Sequence, residues 1–185
     1  FIDNNFDTII RCNLAPIINF ESFVGTKTNY RICFSKILGK LKENLPNDKN
    51  LIVSIPNFEI KKFRHFKGCA KNFKNNNPDY NINILGRKIL EDIFNNYEIK
   101  NPSVGFIALY KFSENFTKKI YYVGFDGYTS EKSHYYHILE SNKRNNFHKK
   151  NAKSFHNLTK EREILNDKIE KGLIIHIKNL YNCNV

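Results

Sequence analysis

A histidine followed five residues later by a glutamate, in the segment His156-Asn-Leu-Thr-Lys-Glu161, is well suited to acid–base chemistry. The ordinary pKa of imidazole is about 6.5, so a histidine side chain can remove or return a proton at neutral pH. A helical pattern begins at Glu161, where a carboxylate complements the positive end of the helix dipole. We therefore expect His156 to lie in a loop just before a helix, where it can act as a general base.

A second polar group follows the first apolar run of the chain, in Asp7-Thr-Ile-Ile-Arg11-Cys-Asn13. If this run is a strand, its Arg-x-Asn ending places polar side chains at the carboxyl end, where open α/β sheets bind ligands. The amide of Asn13 can donate and accept hydrogen bonds at once, which suits a ribose hydroxyl or a phosphate. The alternative is an asparagine that only caps a turn.

A third candidate site is the turn Asn101-Pro-Ser-Val-Gly105, which leads into a helical pattern. Pro102 restricts the backbone to a turn, and Gly105 allows another group to approach the main chain closely. The first amides of the following helix point back at the turn and form a potential anion site, to which the Ser103 hydroxyl can contribute. In the alternative interpretation Ser103 is an ordinary N-cap.

The elements that would position these groups alternate between strand and helix. The apolar runs are continuous, which is typical of a parallel sheet covered on both faces. Apolar residues at three-to-four spacing predict helices between the strands. The alternation indicates an α/β sandwich, in a single domain of residues 1–185. Strands are predicted over 8–10, 51–55, 120–123 and 173–177, and helices over 82–97, 105–116 and 161–171.

Two polar segments, residues 61–79 and 131–154, have no clear assignment. They are loops of the active site, insertions that bind the acceptor, or mobile surface segments.

The net charge of +12 indicates an anionic partner, for which nucleic acid, anionic lipid, acidic glycan and a nucleotide-sugar all qualify. Solubility and a bias towards Lys, Asn and Ile codons are the alternative explanation. The positive charges are spread along the chain, without zinc-finger spacing or the aromatic signature of an RNA-binding domain.

None of the four cysteines forms a C-x-x-C pair, so we predict neither a zinc nor a redox motif. No apolar run approaches the roughly 20 residues of a membrane span.

Taken in order, four segments resemble the sialylmotifs of the animal-type sialyltransferases, glycosyltransferase family 29. The first segment resembles the second half of the large sialylmotif. In that motif an Asp-x-Val-x-Arg-x-Asn stretch precedes Ala-Pro, Phe-Glu and Val-Gly-x-Lys-Thr. The corresponding residues here are Asp7 to Asn13, Ala15-Pro16, Phe20-Glu21 and Val24-Gly25-Thr26-Lys27-Thr28. The first half of the motif, a Gly-Asn turn that cradles the nucleotide, would lie before Phe1.

The segments that resemble the other three motifs follow in the order that the family has. Residues 101–126 resemble the small sialylmotif, with Asp126 in place of the last glycine of Gly-Phe-Gly. His134-Tyr135-Tyr136 resembles sialylmotif III, where His137 replaces the usual acid. The segment from His156 to Glu161 resembles the very small sialylmotif, His-x4-Glu.

The resemblance implies roles for these residues. His156 would deprotonate the acceptor hydroxyl, and His134 would lie at the donor phosphate and the acceptor. The donor CMP-sialic acid would be bound by the remaining positions of the motifs, which are Asn13, Ser103, Val104, Gly105, Gly124 and Asp126. The fold implied is a Rossmann-like, GT-A-type variant with helices on both faces of the sheet.

The function expected from this resemblance is an inverting transfer of sialic acid from CMP-sialic acid to a hydroxyl of an acceptor oligosaccharide or glycolipid. We expect no metal and no cofactor, because CMP carries one phosphate and no Asp-x-Asp signature is present. A transferase for another CMP-activated acid such as Kdo, and a basic module that binds nucleic acid or an anionic surface, are the alternatives. For the enzyme we expect no nucleic-acid partner.

The resemblance also bears on the compartment. The family carries a cysteine where this chain has Thr117, so the family disulfide cannot form here. Asn157-Leu-Thr159 would be an N-glycosylation acceptor inside the active-site motif. We therefore expect a cytoplasmic enzyme, peripheral to a membrane, with the Golgi lumen of the animal members as the alternative.

Overall fold

A computed structural model describes residues 2–115, 119–123 and 156–177. The chain divides into two compact units, Phe1–Glu91 and Asp92–Val185. The predicted positions Thr117, Gly124, Asp126, His134 and His137 lie outside the described residues.

The first unit contains a four-stranded sheet in which every neighbouring pair is parallel, in the order β1-β2-β3-β4. Arg11 pairs with Arg31, and Arg31 pairs with Leu51. The strands are β1 (Ile10–Cys12), β2 (Tyr30–Phe34), β3 (Asn50–Ser54) and β4 (Asn81–Ile84). The prediction of a parallel sheet in an α/β fold is confirmed.

The helices of the first unit precede and connect these strands. They are α1 (Ile2–Asn5), α2 (Glu21–Val24), a 3-10 turn (Ser35–Ile37), α3 (Leu38–Asn44) and α4 (Ile60–Asn76). Helix α5 (Lys88–Tyr97) contains the boundary between the units. Apolar side chains from β2, β3, β4, α3 and α4 form one buried cluster, which includes Cys33, Leu41, Leu51, Val53, Ala70 and Ile82.

Burial in β2 is continuous along the strand rather than alternating. Arg31, Ile32 and Cys33 are consecutive and all fully buried. Successive strand residues point to opposite faces, so both faces of the sheet are covered at β2.

The second unit contains α6 (Val104–Asn115), β5 (Ile120–Tyr122), α7 (Leu158–Glu170) and β6 (Ile174–His176). The two strands pair in parallel, with Ile120 opposite Ile174. The predicted helices over 105–116 and 161–171 are confirmed within a few residues. Lys168 of α7 is buried and forms an ion pair with Glu114 of α6, which links the two helices.

Two sequence assignments differ from the structure. The single helix predicted over residues 82–97 is wrong, because its first residues form β4 and only residues from Lys88 onwards form α5. In β4, Ile82 is buried and the flanking asparagines are exposed, which is the alternation of a strand. The unassigned segment 61–79 is mostly the helix α4, with 17 residues. Strand β2 had not been predicted.

Candidate functional site

His156 lies immediately before α7 and is oriented by a main-chain carbonyl. Its Nδ1 is 2.7 Å from the carbonyl oxygen of Asn101. A carbonyl oxygen can only accept, so Nδ1 carries the proton and donates it. In the neutral ring the basic lone pair is then on Nε2, which is the atom that would take up a proton. The predicted position of His156 before the first helical turn is confirmed.

The loop that carries His156 is fixed by the start of α7. Asn157 is the N-cap of this helix, and its side-chain oxygen accepts a hydrogen bond from the main-chain N–H of Lys160 at 3.3 Å. The N–H of Glu161 donates to the carbonyl oxygen of Asn157 at 3.0 Å. The helix start therefore determines the direction in which the chain leaves His156.

Glu161 connects the first turn of α7 with the turn that precedes α6. One carboxylate oxygen accepts a hydrogen bond from the main-chain N–H of Ser103, and the other accepts one from the Ser103 hydroxyl, both at 2.7 Å. Glu161 is only 4% exposed. A buried carboxylate requires such partners, and these two bonds satisfy both of its oxygens.

Ser103 is at the same time the N-cap of α6. Its hydroxyl oxygen accepts a hydrogen bond from the N–H of Phe106 at 3.1 Å, and its carbonyl oxygen accepts one from the N–H of Ile107 at 2.9 Å. Ser103 therefore caps α6, as the alternative interpretation of the sequence stated. The negative group that the structure places at this helix start is the carboxylate of Glu161.

The electrostatics of this group depend mainly on burial. Loss of water around the carboxyl raises the pKa of Glu161 above its ordinary value of 4.5, while the two bonds from Ser103 and the nearby His156 act in the opposite direction. Burial dominates, so the protonated form is less disfavoured here than in water.

Asn13, the candidate of the first unit, follows β1 in a left-handed conformation with φ of 50°. Its N–H donates to the carbonyl oxygen of Ile32 at 2.8 Å. Its side-chain oxygen accepts from the N–H of Phe34 at 3.3 Å. Asparagine tolerates this backbone conformation better than most residues, so its residue type has a local structural reason as well.

Arg31 holds the turn that follows Asn13, a role that the sequence did not reveal. Its side chain is fully buried and forms an ion pair with Asp48. One terminal nitrogen, Nη1, donates to the carbonyl oxygens of Asn13 at 2.8 Å and Ala15 at 3.1 Å. The guanidinium therefore determines the path of the main chain beyond β1.

The loop between α2 and β2 is held by Arg11 and Asp3. Arg11 donates from one terminal nitrogen to the carbonyl oxygens of Val24, Gly25 and Lys27. Asp3 accepts hydrogen bonds from the N–H and the hydroxyl of Thr26 and from the N–H of Lys27. The bonds from Thr26, followed by the bond from Lys27, lower the pKa of Asp3 to about 2. Gly25 has φ of 70°, and a Cβ there would lie 2.3 Å from an Asp3 carboxylate oxygen, so the close contact requires glycine.

Of the residues predicted to act in catalysis or binding, Ser103, Val104, Gly105 and His156 lie in the second unit. The structure links His156 to the turn of Ser103 through Asn101 and Glu161. Val104 and Gly105 are the first two residues of α6. Asn13 lies in the first unit, and Gly124, Asp126 and His134 are outside the described residues. The carbonyl of Asn101 was missed, since a main-chain acceptor leaves no signal in residue type.

Two further observations concern the described part of the chain. None of its helices combines the length and the apolar character that crossing a membrane requires. Within residues 2–115, 119–123 and 156–177, no group of three or more His, Cys, Asp or Glu side chains is arranged to hold a metal ion.

Comparison with known proteins supports the resemblance to the sialyltransferases. The chain is 26% identical over 201 aligned residues to the type 2 lactosamine alpha-2,3-sialyltransferases of Homo sapiens and Pongo abelii. The alignment covers 94% of this chain and 58% of each relative, so the chain spans little more than half the length of these curated relatives. The sequence model of glycosyltransferase family 29 (sialyltransferase) matches residues 2–173. Because this match covers most of the chain, the protein belongs to glycosyltransferase family 29, the sialyltransferase family.

Proposed function

We propose that the protein transfers sialic acid from CMP-sialic acid to a hydroxyl of an acceptor glycan. The observation that carries this proposal is the orientation of His156 in a chain of family 29. The Asn101 carbonyl holds the Nδ1 proton, which leaves Nε2 as the basic atom of the ring. A general base is the group that this transfer needs, because a sugar hydroxyl is a weak nucleophile until its proton is removed.

The proposed reaction is a single displacement with inversion. The acceptor oxygen forms a bond to the anomeric carbon as its proton moves to Nε2 of His156. The bond from the anomeric carbon to the phosphate oxygen breaks, and CMP leaves with the electron pair as a phosphate monoester dianion. The imidazolium ring then returns the proton to solvent, so His156 is regenerated for the next turnover.

Glu161 is the proposed positioning residue for this step. Its two bonds to Ser103 join the His156 segment to the turn before α6, so the base and the turn are held as one element. A negative carboxylate near His156 also stabilises the imidazolium that forms during the reaction. The proposed donor contacts follow the family motifs and comprise Asn13, Ser103, Val104, Gly105, Gly124 and Asp126. His134 is the second proposed catalytic residue, at the donor phosphate.

Ser103 would act on the donor through the shape of its turn, since its N–H and hydroxyl both donate to Glu161. Val104 and Gly105 lie in the first turn of α6, where main-chain N–H groups have no acceptor within the helix. We propose that these amides face the leaving phosphate. A single phosphate held by amides and cationic side chains does not require a divalent cation, so the reaction would be independent of metal.

The test combines donor binding with transfer, using the full-length protein. Calorimetry should show binding of CMP, with UMP as the matched nucleotide control. Incubation with CMP-sialic acid and type 2 lactosamine should yield a sialylated product in the presence of excess EDTA. Type 2 lactosamine is chosen because it appears in the names of the relatives. CMP-Kdo serves as the alternative donor. Absence of CMP binding, or transfer that requires Mg²⁺ or Mn²⁺, would contradict the proposal.

We also propose that the enzyme works in the cytoplasm at a membrane. Asn157 of the Asn-Leu-Thr sequence caps α7 beside His156, where an attached glycan would crowd the base. Cys12, Cys33 and Cys69 are free thiols. Mass spectrometry of unreduced protein from its natural host should count four free thiols. A stable disulfide, or a glycan on Asn157, would instead indicate the secretory route.

A further inference from the structure

Helix α4 has one face that is packed against the first unit. Phe63 and Ala70 are buried, and the ring of Phe66 packs edge-on against that of Phe34 with centroids 5.2 Å apart. Phe73 makes the same kind of contact with Tyr80 at 5.4 Å. Positions 63, 66, 70 and 73 follow the three-to-four spacing of a helix stripe, so these contacts fix which way α4 faces.

A second row of residues runs along the neighbouring face of the same helix. Ile60, Arg64, Lys67, Lys71 and Lys74 follow one another at steps of four, three, four and three residues, which places them on one line of the helix surface. We call the four cations of this row, Arg64, Lys67, Lys71 and Lys74, the basic face. All except Lys67 are exposed, and Lys67 is half-buried. The basic face extends over ~15 Å.

The cations of the basic face meet no carboxylate within the described residues, although Lys74 donates to the carbonyl oxygen of Ile82 at 3.2 Å. Helix α4 contains six lysine and arginine residues and no aspartate or glutamate. Lys62, which lies outside the basic face, pairs with Glu59, but no cation of the basic face is paired with a carboxylate in the part of the chain that the structure describes. Like charges three and four residues apart destabilise a helix, so an anionic partner would relieve a cost that the free helix carries.

The chemistry of the row favours a lipid surface over nucleic acid as that partner. The phenylalanines of α4 face inwards, so the basic face offers no aromatic platform on which unpaired bases could stack. Ile60 begins the row and is 47% exposed, and an apolar side chain in line with cations suits the boundary between headgroups and acyl chains. We propose that the basic face of α4 binds anionic phospholipid headgroups and holds the first unit at a membrane surface.

The experiment is co-sedimentation of the full-length protein with vesicles, without donor or acceptor. One set of vesicles is phosphatidylcholine alone, and the other contains phosphatidylserine as well. The test variant is R64Q/K67Q/K71Q/K74Q, since glutamine keeps a good helix propensity. The matched control is K40Q/K88Q/K100Q/K119Q, which removes four positive charges from exposed lysines elsewhere in the described residues. Circular dichroism and CMP binding verify that both variants remain folded.

We expect the unaltered protein to bind the vesicles that contain phosphatidylserine and not to bind those of phosphatidylcholine alone. The bound protein should dissociate at high salt. The test variant should lose more than tenfold in partitioning while the control stays within about twofold of the unaltered protein. An equal loss in both variants would overturn the proposal, because net charge would then explain the binding. Absence of vesicle binding would also overturn it, as would preferential binding of a single-stranded oligonucleotide through the basic face.

Discussion

Ser103 and Glu161 are joined by two hydrogen bonds of 2.7 Å although 58 residues separate them in the chain. The main-chain N–H and the hydroxyl of Ser103 each donate to one oxygen of the same buried carboxylate. His156, five residues before Glu161, is bound to the carbonyl of Asn101, two residues before Ser103. The segment of the proposed base and the turn before α6 are thus held together at two points.

Replacement of Glu161 should impair turnover through the position of His156. Glu161→Ala leaves the N–H and hydroxyl of Ser103 without their acceptor, at a cost of about 1–3 kcal/mol in the free energy of unfolding. The altered geometry should lower kcat by about 10²-fold, because a small displacement of a reacting group has an effect of this size. Chemical denaturation and steady-state kinetics with CMP-sialic acid measure the two quantities.

Ser103→Ala is the companion variant, because it removes the hydroxyl bond to Glu161 and keeps the bond from the main-chain N–H, although it also removes the N-cap bond to Phe106. Because one bond to Glu161 remains, its loss of kcat should be smaller than that of Glu161→Ala. In the double variant the two losses should not add, since both act on the same contact. Simple additivity, or an unchanged kcat in Glu161→Ala, would show that this contact does not position the base.

His156→Ala should lower kcat by roughly 10²–10⁴-fold, the usual contribution of a general base. Binding of CMP, measured by calorimetry, should remain close to that of the unaltered protein. His65→Ala is the control, because His65 lies on α4, outside the proposed site. A His156→Ala enzyme with near-native turnover would remove this residue from the mechanism.

The parallel sheet could be predicted because β3, β5 and β6 each lie in an apolar run that is continuous rather than alternating. Strand β4 was taken for part of a helix because Ile82 and Ile84 also fit the helical spacing of the residues that follow. Residues 81–84 form a strand because they pair with residues 31 positions earlier in the chain, in β3. Local periodicity cannot report such long-range pairing, so the boundary at Lys88 was not predictable.

Residue types and their spacing were enough to predict part of the site. His156 and Glu161 were identified by their spacing, and the place of His156 before α7 is confirmed. The partner of Glu161 was not predicted, because Ser103 was interpreted as a donor-binding residue or a cap. The ion pair of Arg31 with Asp48 was also missed, since an isolated arginine in the sequence gives no sign of burial.

Arg31 should affect donor binding through the turn that follows Asn13. Arg31→Lys keeps a positive charge, but a lysine cannot form the same set of forked hydrogen bonds to Asp48 and two carbonyl oxygens. We expect the variant to fold and to bind CMP about tenfold more weakly, since one or two hydrogen bonds that hold the turn are lost.

Arg64→Lys, on the exposed side of α4, is the control for Arg31→Lys and should bind CMP like the unaltered protein. Arg31→Leu should be much less stable, by about 3–5 kcal/mol, because it leaves Asp48 without its buried partner. Native CMP affinity in a folded Arg31→Lys protein would show that Arg31 serves stability alone.

The pH dependence of stability should reveal the buried carboxyl of Glu161. Burial raises the pKa of Glu161 in the folded protein above its ordinary value of 4.5. The folded state therefore binds the proton more tightly than the unfolded state. The resulting contribution to stability is fully present below pH 4.5 and is lost as the pH rises through the raised pKa. Glu161→Gln has no carboxyl to titrate and lacks this contribution at every pH.

The measurement is urea denaturation of the unaltered protein and Glu161→Gln across the acidic to neutral range. The free energy of unfolding of the unaltered protein, minus that of the variant, should fall as the pH rises and then become constant. His156 is the charged neighbour that opposes the shift, so the same pair is compared in a His156→Gln background. Without the imidazole the fall should extend to higher pH, because the positive charge that favours the carboxylate is gone. A difference that grows with pH would mean that the bonds from Ser103 outweigh burial, and that Glu161 is held as a carboxylate throughout.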